Sequence, residues 1–397
     1  MRSVDRTLTK TLLRATRTFP CVVLTGPRRA GKTFLLTRLF PRAEYWLFED
    51  PEVVDRFRSD PEMFLDQVHT PVILDEVQNV PEIFAHVRAR IDRSPRRMGQ
   101  FFLTGSQQAQ LMSGVTESMA GRAMPLTLLP LSVEETSKVD VLRGGLPEVL
   151  AQPSNARLRL SAYVQTYLER DVRSISHVKD LPTFRRFMGL LAARHGQVLN
   201  KADLAAALGM SVQAVTDWLN ILELTWQILV VPPYFENFGK RLTKSPKIYF
   251  ADSGLACHLL GIETKGELQR SPFRGALFEG FVASELLKQR VHRGRAPQLY
   301  FFRDQQGLEV DFVLPTRNAG LLAIEAKASS GVRPEMARPL LSLLGAYRGQ
   351  RAPRGSASGV VVHARGAGGA RTSALAPGVR ALSLEELLRE LDLATTP

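Results

Sequence analysis

Gly26-Pro27-Arg28-Arg29-Ala30-Gly31-Lys32-Thr33 follows the β-favouring run Cys21-Val22-Val23-Leu24-Thr25 and opens an amphipathic stretch, Lys32 to Phe40. The octapeptide satisfies G-x-x-x-x-G-K-[ST] at every fixed position, and it stands between a strand and a helix as its mechanism requires. Glycines let the backbone wrap an anion so that successive N–H groups point inward, and the helix N-terminus adds partial positive charge. All eight residues, Gly26 to Thr33, are therefore candidate phosphate-binding positions. Lys32 is expected on the β- and γ-phosphates and the Thr33 hydroxyl on Mg²⁺. The implied ligands are ATP and magnesium.

Outward from this loop the pattern repeats. Tyr45-Trp46-Leu47-Phe48, Val72-Ile73-Leu74, Phe101-Phe102-Leu103 and Met124 to Leu128 are short apolar runs, most of them followed by turn or helix signals. Strands alternating with helices predict a parallel sheet covered on both faces, closing near residue 132. The run Pro71 to Leu74 ends in Asp75-Glu76. Beside a phosphate loop, Asp75 is expected to hold magnesium through its water shell and Glu76 to act as general base on the attacking water. Phe101 to Thr104 ends in Gly105-Ser106, where Ser106, or alternatively Thr104, would orient that water or sense the γ-phosphate. Arg122, in Ala120-Gly121-Arg122, is a candidate for neutralising transition-state charge from its own or a neighbouring subunit; the other reading is a surface arginine.

The chain has 397 residues, 44% hydrophobic and 23% charged, a soluble globular composition long enough for two or three domains. No apolar run approaches the ~20 residues of a membrane-spanning helix. Met1 to Lys10 has no apolar core of a secretory signal, and Cys21 and Cys257 are the only cysteines, so the cytoplasm is the expected compartment. The formal net charge is +13 and the pI about 10.1, the footprint of a polyanionic partner such as DNA. An arginine-rich coding bias is the competing explanation.

Four segments are expected: 1–132, the sheet with the phosphate loop; 133–180, a helical connection; 181–250; and 251–397. In the third, Asn200 is placed to cap Lys201 to Leu208, Gly209 to make a turn and Ser211 to cap the next helix. With strands at Ile228 to Tyr234 and Lys247 to Phe250, this reads as a winged helix. The fourth has a long helix over Ala276 to Gln289, strands at Gln298–Arg303, Leu308–Leu314 and Leu321–Lys327, a helix at Met336–Tyr347 and a strand at Val360–His363. Arg351 to Ser358 and Ala364 to Pro377 read as loops.

Several short motifs, in order, resemble a bacterial and archaeal group of AAA-type ATPases usually named only "ATP-binding protein". They are Gly26–Thr33, Leu74-Asp75-Glu76-Val77-Gln78, Leu103-Thr104-Gly105-Ser106, Ala120-Gly121-Arg122, Gly144-Gly145-Leu146-Pro147, Tyr249 to Leu255, Glu309-Val310-Asp311-Phe312 and Ile324-Glu325-Ala326-Lys327. The resemblance spans nearly the whole chain. It implies an α/β fold with an AAA-type core, a winged helix and a small restriction-endonuclease-like α/β domain, in a homo-oligomeric ATPase.

Glu325 and Lys327 are two apart on one strand and so share a face, with Asp311 on a preceding strand. This matches the D…E-x-K pattern of restriction-endonuclease-like enzymes, with Glu279 as the acidic helix residue. Together Glu279, Asp311, Glu325 and Lys327 are a candidate Mg²⁺-dependent nuclease site; a same-face salt bridge on a non-catalytic domain is the alternative. Around the wing, Lys240, Arg241, Lys244 and Lys247 form a basic cluster suited to DNA phosphates. The second helix offers only Ser211, Gln213, Ala214, Thr216 and Asp217, without a cation for base reading. Packing is the other use for such a module. Three functions fit these observations: an ATPase acting on DNA, an ATP-dependent switch for a protein partner, and an ATP-gated nuclease.

Overall fold

The computed structural model describes residues 4–105, 118–168, 181–234, 245–316, 320–329, 331–348, 356–364 and 373–393. Five strands build the first sheet: β1 (Cys21–Thr25), β2 (Glu44–Leu47), β3 (Val72–Asp75), β4 (Phe101–Thr104) and β5 (Ala123–Thr127). All are parallel, in the order β2-β3-β4-β1-β5. Strands β1, β3 and β4 are buried along their whole length, as strands covered on both faces must be. Helices Leu8–Thr18 and Lys32–Leu39 pack on one face, and Ile83–Arg93 with Phe57 and Phe64 on the other. The sheet's C-terminal edge thus gathers the ends of β1, β3 and β4, where Gly26, Asp75 and Thr104 lie.

The middle of the chain has a core of its own, running from Leu146 to Leu277. Helix Lys201–Leu208 begins where the Asn200 side chain accepts from Ala202 and Asp203 N–H, and it ends at Gly209 in a left-handed conformation. Ser211 then caps Val212–Leu224. A three-stranded antiparallel sheet follows, formed by β6 (Gln197–Val198), β7 (Ile228–Val231) and β8 (Lys247–Phe250), in the order β6-β8-β7.

The last unit is a six-stranded mixed sheet of β9 (Tyr300–Arg303), β10 (Glu309–Thr316), β11 (Gly320–Lys327), β12 (Ala357–His363), β13 (Ser373–Ala376) and β14 (Val379–Ser383), ordered β13-β14-β12-β11-β10-β9. The long helix Arg274–Val291 lies on one face and Arg338–Arg348 on the other. Strand β13 falls inside 364–377, which reads as loop from sequence; Ser373–Ala376 lacks apolar alternation and is ordered by pairing with β14. No described helix is long and apolar enough to cross a membrane.

Candidate functional site

The loop after β1 closes on itself. Gly26 has φ +136°, and a Cβ there would stand 2.1 Å from the Leu128 carbonyl oxygen, so only glycine fits between β1 and the end of β5. Lys32 is buried, and its Nζ donates to the carbonyls of Gly26 at 3.0 Å and Pro27 at 3.1 Å. The ammonium therefore sits inside the loop, within reach of a polyphosphate that the backbone would cradle. Arg28 pairs with Glu49 and Arg29 with Glu148 at the rim.

Asp75 is the hub of the site. Its carboxylate accepts from the Thr33 hydroxyl at 2.7 Å, the Tyr45 hydroxyl at 2.9 Å and the Glu76 N–H at 3.1 Å, and also from the Thr104 hydroxyl. Burial, reinforced by Asp75, raises the Tyr45 phenol above its ordinary pKa and keeps it a donor. Glu76 adopts a left-handed backbone conformation, φ +57°, unusual for a non-glycine residue and a mark of a constrained position. Its carboxylate accepts from the Gln78 amide. Ser106 lies outside the described residues; Thr104, the alternative from sequence, is the one seen beside Asp75. Tyr45 carries no signal in sequence, because the neighbourhood of β2 and β3 cannot be known before the strand order is.

A cavity of about 720 Å³ opens over the loop. Its walls include Lys32, Thr33, Phe34 and Glu76 from the sheet unit, and Pro147, Glu148 and Ala151 from the short helix Pro147–Ala151. That helix is set by the Gly144-Gly145 turn. A Cβ on Gly145 would meet the Leu131 carbonyl at 2.1 Å, and its N–H donates to Asp252 at 2.7 Å. Asp252 also caps Ser253–Leu259, so two motifs 107 residues apart are one structural element.

Arg122 is not part of this cavity. Its carbonyl accepts from Cys21 N–H at the N-terminal end of β1, the opposite end of the sheet from the loop. Its guanidinium holds Asp92 at 2.6 and 3.1 Å. Within one chain it lies away from the glycine loop.

The second constellation gathers at the C-terminal sheet. Glu279 from the long helix and Glu309 and Asp311 from β10 surround Lys247 of β8, and the pair Glu325 and Lys327 of β11 adjoins them through Asp311. Lys247 Nζ stands 2.8 Å from Glu279, 2.5 Å from Glu309 and 3.8 Å from Asp311, while Tyr249 donates to Glu279 at 2.6 Å. Lys327 pairs with Glu325 at 2.6 Å, and the Ala326 N–H donates to Asp311 at 2.9 Å. Burial, with the charge of Asp311, pushes the carboxyls of Glu279 and Glu325 up to about 7. Burial opposes the Lys247 charge, but Glu279, Asp311 and Glu309 outweigh it and hold its pKa above the ordinary lysine value.

Two sequence expectations change here. Lys247 is 2% exposed and belongs to the carboxylates, so it is not a cation on an outward wing surface; Lys240, Arg241 and Lys244 lie outside the described residues. A divalent ion does not fit the cluster in this arrangement, because the ammonium already takes the carboxylate charge. Among the described residues, no group of three His, Cys, Asp or Glu side chains is disposed to hold a metal.

A parallel sheet with the glycine loop after β1, its lysine turned inward and its threonine on the Asp75 carboxylate defines an AAA-type P-loop NTPase domain, a class that binds and hydrolyses ATP. Residues 18–137 match the AAA domain family, and 136–266 and 274–373 match two families each described as a domain of unknown function, DUF8612 and DUF4143. The chain is 36% identical over 308 residues to the uncharacterized proteins Rv2008c of Mycobacterium tuberculosis and Mb2031c of Mycobacterium bovis. That match covers 76% of this chain and 68% of each relative, and the chain belongs to their family. Among solved structures it is similar to the Walker-type ATPase paby2304 of Pyrococcus abyssi, with 15% identity and a TM-score of 0.43 over 64% of this chain and 94% of that one. It is also similar to a RuvB variant of Thermotoga maritima, with 14% identity and a TM-score of 0.31 over 58% and 90%.

Proposed function

We propose that the chain is a magnesium-dependent ATPase that acts on DNA. The observation that carries the catalytic part is the contact of Thr33 with Asp75 beside the inward Lys32. In this reading the loop N–H groups and Lys32 bind the β- and γ-phosphates, and Glu76 takes the proton of the attacking water. Thr104, held on Asp75, stands beside that water. Lys32 neutralises charge as the bond to the γ-phosphate breaks. The donor set fits magnesium: a hydroxyl and a carboxylate 2.7 Å apart are hard oxygen ligands, and magnesium needs few of them because it keeps water and phosphate oxygens. Thr33 would hold the ion directly and Asp75 through water; bound there, it supplies charge neutralisation on the phosphates.

The DNA role draws on the +13 charge. Residues 181–250 are read as a winged helix, supported by the capped helix pair and the β7–β8 hairpin. Residues 251–397 are read as a restriction-endonuclease-like fold, supported by the mixed sheet carrying Asp311, Glu325 and Lys327. Lys247 among its carboxylates favours a binding module over a cutting one. Arg122, far from its own loop, favours a homo-oligomer in which it reaches a neighbour. The test is ATP turnover with and without duplex, branched and single-stranded DNA. Stimulation by DNA supports the reading, and turnover indifferent to every DNA form favours the protein-partner switch.

A further inference from the structure

Arg6 lies just before the helix Leu8–Thr18, in a segment where the sequence carries no motif. It is nonetheless buried, with its side chain 7% exposed, and each branch of the guanidinium is used. Nη1 donates to the carbonyl of Ala30, inside the phosphate loop, at 2.9 Å; a Cβ on Gly31 would stand 3.9 Å from the same nitrogen. Nη2 donates to the Leu129 carbonyl. Nε meets both oxygens of Glu135 at 3.1 Å. Arg6 thus holds the loop backbone from the wall of the cavity that opens over it.

Glu135 carries the contact onward. Its carboxylate also accepts from Thr7 N–H at 2.7 Å and Ser132 N–H at 3.1 Å. His292, at the C-terminal end of the long helix, faces it with Nδ1 at 3.6 Å, while its Nε2 accepts from Leu129 N–H at 3.1 Å. That bond assigns the ring proton to Nδ1, toward Glu135. One and two turns earlier on the same helix, Lys288 donates to the Leu131 carbonyl at 3.0 Å and Glu285 accepts from Val133 N–H at 2.8 Å. The 129–135 segment is therefore held between Arg6 and this helix by buried polar bonds, and such networks lock geometry because a broken member leaves a buried polar group unpaired. The same helix carries Glu279.

We propose that Arg6 is a positioning residue for ATP turnover and couples the phosphate loop, through Glu135, to the long helix of the C-terminal unit. The loop's Ala30 carbonyl cannot shift without moving the guanidinium, and the guanidinium cannot move without disturbing Glu135 and the backbone at Leu129. Nucleotide binding at the loop and the position of residues 285–292 are thus two readings of one connected unit. The kinetic half of this proposal rests on the ATPase reading; the coupling half requires only that ATP binds.

The experiment uses the full chain with Arg6→Met, Arg6→Lys and Glu135→Gln, each checked for folding by thermal melting. ATP turnover gives kcat and KM, and hydrogen exchange of residues 129–135 and 285–292 is followed with and without ATP. In the wild type, ATP should slow exchange in both segments. Arg6→Met should still bind ATP but lose roughly ten- to hundredfold in kcat, the scale of a misplaced site, and residues 285–292 should stop responding to ATP. Arg6→Lys should recover part of kcat, since it keeps the charge but not the three-way fork. Should Arg6→Met not fold, Arg6→Lys and Glu135→Gln carry the same comparison. Full kcat in these variants, or an unchanged response at 285–292, overturns the proposal. A wild type that binds ATP without turning it over overturns the ATPase reading instead, and the exchange response still decides the coupling.

Discussion

The Thr33 hydroxyl donates to Asp75 Oδ2 at 2.7 Å, joining the helix after β1 to the tip of β3 across 42 residues. A threonine hydroxyl has one proton and two acceptor lone pairs, so it can keep this bond and still ligate a cation. Thr33→Ser preserves both capacities and should turn over ATP nearly normally. Thr33→Val removes both at nearly constant volume. It should raise the magnesium concentration needed for half-maximal turnover and lower kcat, which a magnesium titration at saturating ATP checks.

In the proposed mechanism Lys32 and Glu76 divide the remaining chemistry between binding and proton transfer. Lys32→Ala takes the point charge from the loop and should cut turnover on the order of 10²-fold or more, as loss of a transition-state donor does. Glu76→Gln should leave ATP bound and slow hydrolysis by about 10² to 10⁴, the share of a general base. Equilibrium binding of a fluorescent ATP analogue, set beside steady-state rates, separates the two. Wild-type hydrolysis by Glu76→Gln would remove it from the base role.

Arg122 sits at the far end of its own sheet, tied to Asp92 at 2.6 Å. If it serves a neighbouring subunit's nucleotide, mixing Arg122→Ala with Lys32→Ala chains should restore activity at hybrid sites that combine an intact loop with an intact arginine. Turnover is measured against mixing ratio in oligomers shown to contain both chains. Absence of recovery returns Arg122 to the role of a salt-bridge partner.

The phosphate loop is legible in sequence because its chemistry is local: eight contiguous residues between a strand and a helix. So are the caps at Asn200 and Ser211, which act on N–H groups two and three residues on. What sequence does not disclose is set by strand order and by packing between distant segments. Tyr45 reaches Asp75 only because β2 lies beside β3. Arg6 precedes an unremarked helix whose buried Leu8, Leu12 and Ala15 lie at helical spacing, and its partners are 24 to 129 residues away. Lys247 reads as one more wing cation until β8 is seen to run against the carboxylates of β10 and the long helix.

The wing prediction narrows accordingly. Lys240, Arg241 and Lys244 remain candidates for binding phosphates, and Lys247 leaves the set because its charge is already matched. Changing the three to alanine should weaken DNA binding alike for all sequences and flatten the salt dependence by ~0.9 for each duplex phosphate that is no longer neutralised. Unchanged affinity and slope would take the hairpin out of the interface.

Lys247 has a different prediction, in stability and its pH dependence. Glu279 and Glu325 have folded-state pKa values of about 7 against an ordinary 4.5, so the folded chain holds their protons more tightly than the unfolded chain does. The sign follows from proton linkage: their contribution is complete below about pH 4.5 and is lost as pH rises through 7. Lys247 limits that loss, since its ammonium at 2.8 Å favours the ionised form of Glu279. Lys247→Met keeps the apolar stem but leaves the carboxylates facing one another. At pH 8 Glu279 is forced toward ionisation without its counter-charge, while Glu325 keeps Lys327, and the cost should approach the ~3–5 kcal/mol of a broken buried pair. At pH 5 Glu279 is largely protonated, needs no counter-charge, and the cost should be clearly smaller. Urea denaturation of wild type and Lys247→Met at the two pH values measures the difference. An equal loss at both would mean that Lys247 contributes through packing alone, and the view of its ammonium as the cation that closes this cluster would have to be given up.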